Sequence, residues 1–290
     1  MTQLIIKKYK CFNNLKVSGL NKVNLITGFN NIGKTAFLET IYIYKNDEVL
    51  SSLLDIVLFR NRLEFVNKKI QKDEIINYLS KFDFEIEDIR FFSDENSFYI
   101  NDKKVLFNDY YIKQIISKKI GFIDVLGWSN GRLKLIYEIV QLKDKEDLIL
   151  KWIQIFDNSI ENFKFIGGIP KCKVNGEYLD LNEFGSGMKL FVSILISMVA
   201  YENGYLLIDE VENGIHFKQL NNLWRIIFDL SKEFNIKVFA TTHSKEMIQA
   251  FINESQKTKE NVSLLEFGNN DVIVYEKEEV YLLDEEVRGW

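Results

Sequence analysis

The sequence predicts an α/β fold: a largely parallel sheet with helices on both faces. Three observations predict it. A strand-like segment runs into a glycine loop and then a helix over residues 22–45. Short apolar runs at 204–209 and 236–243 flank a helical stretch. From about residue 165 onward strand and helix signals alternate tightly, the pattern that gives parallel strands buried on both sides.

The elements follow in chain order. "QLIIKKYKCF" reads as a strand, and "KVNLIT" (22–27) as a second. "GFNNIGKT" (28–35) matches G-x-x-x-x-G-K-[ST], and "KTAFLETIYIYK" continues from Lys34 as a helix. Strand, loop and helix in that order is the context in which this pattern makes a phosphate-binding loop. Between 47 and about 165 no glycine-rich chemistry appears. The stretch from Ser51 reads as two helices, with Leu54, Leu58, Val66, Ile70 and Leu79 at helical steps. "FEIEDIRFFSDENSFYINDKKVLF" alternates around turn-like "SDEN" and "ND" and reads as antiparallel strands. "GRLKLIYEIVQLKDKEDLILKWIQIF" returns to helix. We expect residues 47–164 to form a helical/β arm on a core made of 1–46 and 165–290; the alternative is that this stretch is more of the same core. Within that core Phe217, Leu220, Trp224, Ile227 and Leu230 step along one helical face.

Composition bounds the function. The 290 residues are 47% hydrophobic and 27% charged, enough for one large core or two modest ones. A net charge of -5 excludes the whole-molecule basic field of dedicated nucleic-acid binders, though not a local patch. Cys11 and Cys172 lie far apart and form no C-x-x-C, which argues against a disulfide framework or zinc site and for a reducing compartment. "MTQLIIKKYK" lacks the form of a signal peptide. The longest apolar run, "LFVSILISMVAY" (190–201), is too short to span a bilayer and reads as a buried helix. The expectation is a soluble, cytoplasmic chain without a membrane partner segment.

Four segments carry chemistry. In the glycine loop, backbone N–H groups form an anion-sized nest at a helix N-terminus. Gly28 and Gly33 allow the tight path, Lys34 can reach the β- and γ-phosphates, and the Thr35 hydroxyl can sit on Mg²⁺. In "LLIDEVENGIH" (206–216) an apolar strand delivers Asp209 to its carboxyl end, where such sheets bind ligands. Asp209 fits the role of the Mg²⁺ partner, and Glu210 that of the group that orients or deprotonates the attacking water. In "FATTHSKEM" (239–247) His243 follows an apolar strand at the same edge, where it can donate to a γ-phosphate or position the water. In "NEFGSGMKL" (182–190) Gly185, Ser186 and Gly187 precede a long apolar helix and make a second anion-binding edge. One chain already has its phosphate loop, so this second edge suits a nucleotide held by another copy.

The order of glycine loop, "FGSGMK", "LLIDEVENGIH" and "TTHS" resembles an ABC-type ATPase, more narrowly the SMC, RecF and OLD-like group and its small stand-alone bacterial members. The resemblance covers residues 1 to about 45 and 165 to about 255. It implies a P-loop NTPase fold with an ABC-ATPase-like mixed sheet flanked by helices. The arm then lies between the Walker A loop and the signature motif. It implies that Gly28, Asn30, Asn31, Gly33, Lys34 and Thr35 hold ATP and Mg²⁺, that Asp209 assists the metal, that Glu210 is the general base, and that His243 is the switch histidine. Residues 212–216 become the D-loop, and Ser186 and Gly187 the signature that closes over the ATP of a second copy. ATP then joins two heads and hydrolysis releases them.

Departures are visible. Gly185 and Ser186 stand in the reverse of the usual signature order, Met188 replaces the usual Gln or Glu, and Gln114, Gln141 and Gln154 compete for the Q-loop. The middle region is too short for long coiled-coil arms and has no zinc hook, and no Toprim nuclease domain is expected in the about forty residues after Phe251. The leading expectation is an ATP-dependent dimerising switch that works with a separate effector in bacterial antiphage defence. The alternatives are a DNA-engaging clamp of RecF type or a scaffold with slow hydrolysis. The clamp would use Lys68, Lys69 and Lys72, or Lys113, Lys118 and Lys119.

Overall fold

The computed structural model describes residues 1–61, 77, 79, 81–94, 97–105, 119–268, 271–280 and 282. Its centre is a six-stranded sheet in the order β15-β14-β3-β13-β12-β8. The strands are β3 (Val23–Gly28), β8 (Ile120–Ile123), β12 (Tyr205–Ile208), β13 (Lys237–Thr241), β14 (Val262–Phe267) and β15 (Val272–Glu276). All neighbours are parallel except β15, which runs antiparallel on β14. The parallel strands are short, nearly continuous apolar runs because both of their faces are covered. Their alternate residues feed two cores. Val23, Leu25, Leu206, Ile208, Val238 and Ala240 join one cluster, while Ile26, Leu207, Phe239 and Leu265 join the other.

The first core lies under α3 (Asn130–Leu142), α4 (Glu146–Phe156), α5 (Ser186–Ala200), α6 (Leu220–Glu233) and α7 (Lys245–Ser255). The apolar run expected to be a buried helix is α5, and its Ser193 and Ser197 are wholly buried. They satisfy a tryptophan: Ser193 Oγ accepts from Trp128 N at 3.1 Å, and Ser197 Oγ from Trp128 Nε1 at 2.8 Å. The second core lies between the central sheet, α1 (Lys34–Lys45), α2 (Val49–Asn61) and an antiparallel sheet. That sheet has the order β2-β1-β4-β5-β6-β7, from β1 (Gln3–Tyr9), β2 (Phe12–Ser18), β4 (Phe84–Ile86), β5 (Ile89–Ser93), β6 (Phe98–Ile100) and β7 (Lys103–Val105). A small sheet of β9 (Asn162–Ile166), β10 (Ile169–Val174) and β11 (Glu177–Asp180) precedes α5, and α8 (Lys277–Val280) ends the described chain's helices.

The structure divides 47–164 differently from an inserted arm. β4 pairs with β1 through Ile6↔Ile86, so β4–β7 extend a sheet begun by the first eighteen residues. β8, all four residues buried, is the edge strand of the central sheet and pairs in parallel with β12. α3 and α4 pack on the first core. The physical reason is burial: β8 is buried on both faces, and apolar residues of β4–β6, α3 and α4 join the two cores that the 1–46 and 165–290 regions build. The first expected helix of this stretch is α2; Leu58 lies in it, and Val66 and Ile70 lie outside the described residues. Among the described residues no helix is long and apolar enough to cross a membrane.

Candidate nucleotide site

β3 ends at Gly28 and α1 begins at Lys34, so the loop 28–33 sits at the carboxyl edge of the central sheet, against the N-terminus of a twelve-residue helix. Two of its glycines are required by space as well as by backbone. Gly28 has φ 137, and a Cβ there would stand 2.6 Å from the Phe267 carbonyl oxygen. Gly33 has φ 110, and a Cβ there would stand 2.6 Å from Cys11 Sγ and 2.8 Å from the Phe12 ring. The β1–β2 turn is therefore pressed onto the loop. It is anchored to α1 by Glu39, 2% exposed, which accepts from Tyr9 Oη at 2.9 Å and from Lys10 Nζ. Asn31 adopts φ 62, and Phe29, Asn30 and Asn31 are exposed. Lys34 Nζ bridges the Gly28 and Phe29 carbonyls at 2.7 and 2.8 Å. Burial lowers the Lys34 pKa, and Asp209, Glu210 and Glu212 counter that effect.

Asp209 follows the last residue of β12. One strand, β13, separates β12 from β3, yet the first turn of α1 reaches across that gap. Thr35 Oγ1 donates to Asp209 at 2.9 Å to Oδ2, with Oδ1 at 3.1 Å. The last residue of β13 completes the arrangement. Thr241 Oγ1 donates to Asp209 Oδ1 at 2.6 Å and accepts from the Glu210 backbone N–H at 2.9 Å. Thr241 is 1% exposed. Nothing in the sequence marks it, because a threonine in a strand is ordinary and only the strand order brings it beside Asp209. Burial raises the Asp209 carboxyl pKa, Glu210 and Glu39 add to the rise, and the two threonine hydroxyls oppose it. A hydroxyl and a carboxylate, both oxygen donors on rigid elements beside a phosphate loop, could supply the protein share of a magnesium site whose other ligands would be phosphates and water.

Glu210 takes a left-handed backbone, φ 49, which costs a non-glycine residue about 1–2 kcal/mol. Hydrogen bonds on both sides hold it there, to Thr241 Oγ1 and from Asn213 N to the Glu210 carbonyl at 2.9 Å. Its side chain is 42% exposed and its Oε1 lies 3.9 Å from His243 Nδ1. His243 stands two residues past β13, half exposed. Glu212 approaches it more closely, with Oε1 at 3.4 Å from Nδ1 and 3.1 Å from the His243 backbone N. His216 is elsewhere: it caps the short 3₁₀ turn at Phe217–Gln219, its Nδ1 accepting from Lys218 N at 3.3 Å.

Ser186 opens α5, exposed, behind Gly185 at φ 87. Gly187 is buried against Gly214, on the strap that leaves Glu210. Thus Gly28, Gly33, Lys34, Thr35, Asp209, Glu210 and His243 gather at one sheet edge, while Ser186 and Gly187 meet the strap rather than the phosphate loop of their own chain. Gln141 lies on α3 and Gln154 on α4, where its amide donates to the Ile160 carbonyl at 3.1 Å; Gln114 lies outside the described residues. The loop after β8, residues 124–129, contains no glutamine. Of the lysines named for a basic patch, Lys119 pairs with Asp47 at 2.6 Å, and Lys68, Lys69, Lys72, Lys113 and Lys118 lie outside the described residues.

Residues 132–248 match the family model described as an AAA ATPase domain. The ATP/GTP phosphatase of Helicobacter pylori is 25% identical over 315 aligned positions, 84% of this chain and 85% of that protein. An Smc head bound to the C-winged helix domain of ScpA superposes with TM-score 0.53 at 15% identity, over 95% of this chain and 96% of the other. The chain is an ATPase with the SMC and ABC head fold. This ATPase also superposes on cbiO1 from Clostridium perfringens, part of the ABC transporter complex cbiONQ. There the TM-score is 0.50 at 14% identity, over 99% of this chain and 93% of that one.

Proposed function

We propose that this ATPase is a nucleotide-dependent switch that pairs with a second copy around two ATP molecules and passes that state to a separate effector. The observation that carries the reading is the convergence of Thr35, Thr241 and Asp209 within 3.1 Å, with Glu210 and His243 beside them. The loop 28–33 cradles the phosphates, with Asn30 and Asn31 on its exposed side and Lys34 supplying the charge. A magnesium ion held by Thr35 and Asp209 would offset charge on the β- and γ-phosphates. Glu210, kept apart from the metal ligand by its left-handed backbone, takes the proton of the attacking water. His243 faces the γ-phosphate. Ser186 and Gly187, at the N-terminus of a fifteen-residue helix, complete the site of the other copy.

Glu210→Gln tests the catalytic assignment. It keeps size and hydrogen bonding but not basicity, so turnover falls about 10²–10⁴-fold while ATP binding persists. Intact turnover removes Glu210 as the base. Sizing of Glu210→Gln with ATP and Mg²⁺ then reads the pairing: a dimer supports the switch, and a monomer at all concentrations rejects it. The OLD-like, antiphage role and its effector rest on the resemblance of "IDEVENGIH" and "TTHS", and the cytoplasmic placement on the two isolated cysteines. Phage plating on cells with and without the intact Glu210 tests that role, and equal plaque counts reject it.

A further inference from the structure

Two acids on one strap flank the same imidazole. Glu210 Oε1 lies 3.9 Å from His243 Nδ1 and Glu212 Oε1 lies 3.4 Å from it. Their surroundings differ: the Glu210 side chain is 42% exposed, that of Glu212 only 12%. The same Glu212 oxygen accepts the His243 backbone N–H at 3.1 Å, so one carboxylate oxygen addresses both the backbone and the ring. Its other oxygen, Oε2, is buried with no hydrogen-bond partner among the described residues. A buried carboxylate with one oxygen unmet is a net cost to folding. Stability alone does not select an acid at this position, and the 212–216 strap does not need one to turn, since its bend is made by Asn213 N to the Glu210 carbonyl and Ile215 N to the Glu212 carbonyl, both 2.9 Å.

We infer that Glu212 is the positioning residue of His243, fixing both the place of its backbone and which ring nitrogen faces the site. An imidazole whose Nδ1 hydrogen points at Glu212 presents Nε2 outward. The buried acid orients the ring, and the exposed acid, Glu210, stays free for water. The inference rests on the reading of His243 as the phosphate-facing group. It assigns to Glu212 a role inside its own subunit's site, where the family resemblance implies only a place in a loop at the interface between copies.

The test is a double-mutant cycle with a spectroscopic companion. Glu212→Ala lowers kcat about 10- to 100-fold, the size of effect that removing an orienting partner has, with little change in KM for ATP. Glu212→Gln, whose amide oxygen can still accept the His243 backbone N–H and face Nδ1, retains most of the rate and covers the case in which the alanine variant folds poorly. In a His243→Ala background, Glu212→Ala costs nothing further. A repeat of the full loss in that background, or a rise in KM with unchanged kcat, overturns the inference. The chain has only two histidines, so long-range ¹H–¹⁵N spectra of the nucleotide-free protein at alkaline pH resolve both rings. His243 carries its hydrogen on Nδ1 in the parent protein and loses that preference in Glu212→Ala; an unchanged tautomer also overturns the inference. If His243→Ala alone leaves kcat intact, the parent reading of His243 fails instead. If it lowers kcat and Glu212→Ala does not, only the role of Glu212 fails.

Discussion

Gly187 and Gly214 meet backbone to backbone, with no room for a methyl group between them. A Cβ on Gly187 would stand 2.1 Å from the Gly214 carbonyl oxygen, and one on Gly214 would stand 2.2 Å from Ser186 Oγ. The strap that carries Glu210 and Glu212 is thereby in direct contact with the N-terminus of α5. A shift of the strap by a few tenths of an ångström must move Ser186, because packed backbones have no slack.

That contact gives the first prediction. Gly187→Ala forces the strap and α5 apart, since the obstacle is backbone and cannot rotate away. Steady-state ATPase activity falls more than about tenfold, while ATP affinity of the isolated subunit, set by the loop 28–33, stays close to that of the parent. Titration with a fluorescent nucleotide beside a turnover assay separates the two. Equal loss of affinity and rate would show that the contact is only structural.

Thr241 provides the second. Thr241→Val preserves shape but takes the 2.6 Å donor from Asp209 and the acceptor from the Glu210 N–H. Both groups are buried or half-buried, so the unfolding free energy drops by about 1–3 kcal/mol, and turnover drops with it as Glu210 loses the anchor of its φ 49 backbone. Thr241→Ser keeps the hydroxyl and restores both. Chemical denaturation of the three proteins, with turnover measured on each, decides the matter; a valine variant as stable and active as the parent refutes it.

Asp209 separates stability from function. Burial pushes its carboxyl pKa up in the folded chain. A carboxyl whose folded pKa lies above its unfolded one costs stability once it is ionised. The cost is absent below the unfolded value, about 3.9, and grows as pH rises through the folded value. Asp209→Asn therefore melts higher than the parent at pH 7.5 without nucleotide, by about 2 °C for each kcal/mol relieved in a chain of this size. The gain disappears near pH 4, and ATPase activity is lost throughout. A lower melting temperature at pH 7.5 would contradict this.

What the sequence made legible here is local. β3, β12 and β13 announce themselves as apolar runs, and the glycine loop, Asp209, Glu210 and His243 stand at their ends in contiguous patterns. What it hid depends on pairing between distant segments. β4–β7 read as strands, but nothing in "FEI" says that it pairs with Ile6. β8 is four residues long, too short for periodicity to mark it as the sheet's edge. Thr241 and Glu212 gain their meaning only from Asp209 and His243, 32 and 31 residues away in the chain. The glycine opposition of 187 and 214 likewise joins two motifs that look independent in one dimension.

The last prediction concerns the opposite edge of the sheet. Lys237, the first residue of β13, donates to the Met1 and Leu20 carbonyls and lies beside Lys22 and Lys45. Burial first, then those two ammonium groups, lower its pKa from 10.5 to about 8. The sign follows from the amine being harder to charge in the folded chain. Below about pH 8 the folded state bears the cost of keeping Lys237 protonated. As pH rises from about 8 toward 10.5 that cost is lifted, because the unfolded chain still binds the proton. Water reaches one side of the group and screens it, which leaves about 1 kcal/mol of the full shift. Denaturation midpoints at pH 7 and pH 9 therefore differ in favour of pH 9, and Lys237→Met, which keeps the apolar stem and removes the charge, flattens that difference. If the methionine variant shows the same pH dependence as the parent, the dependence belongs to another group and Lys237 is ordinarily charged.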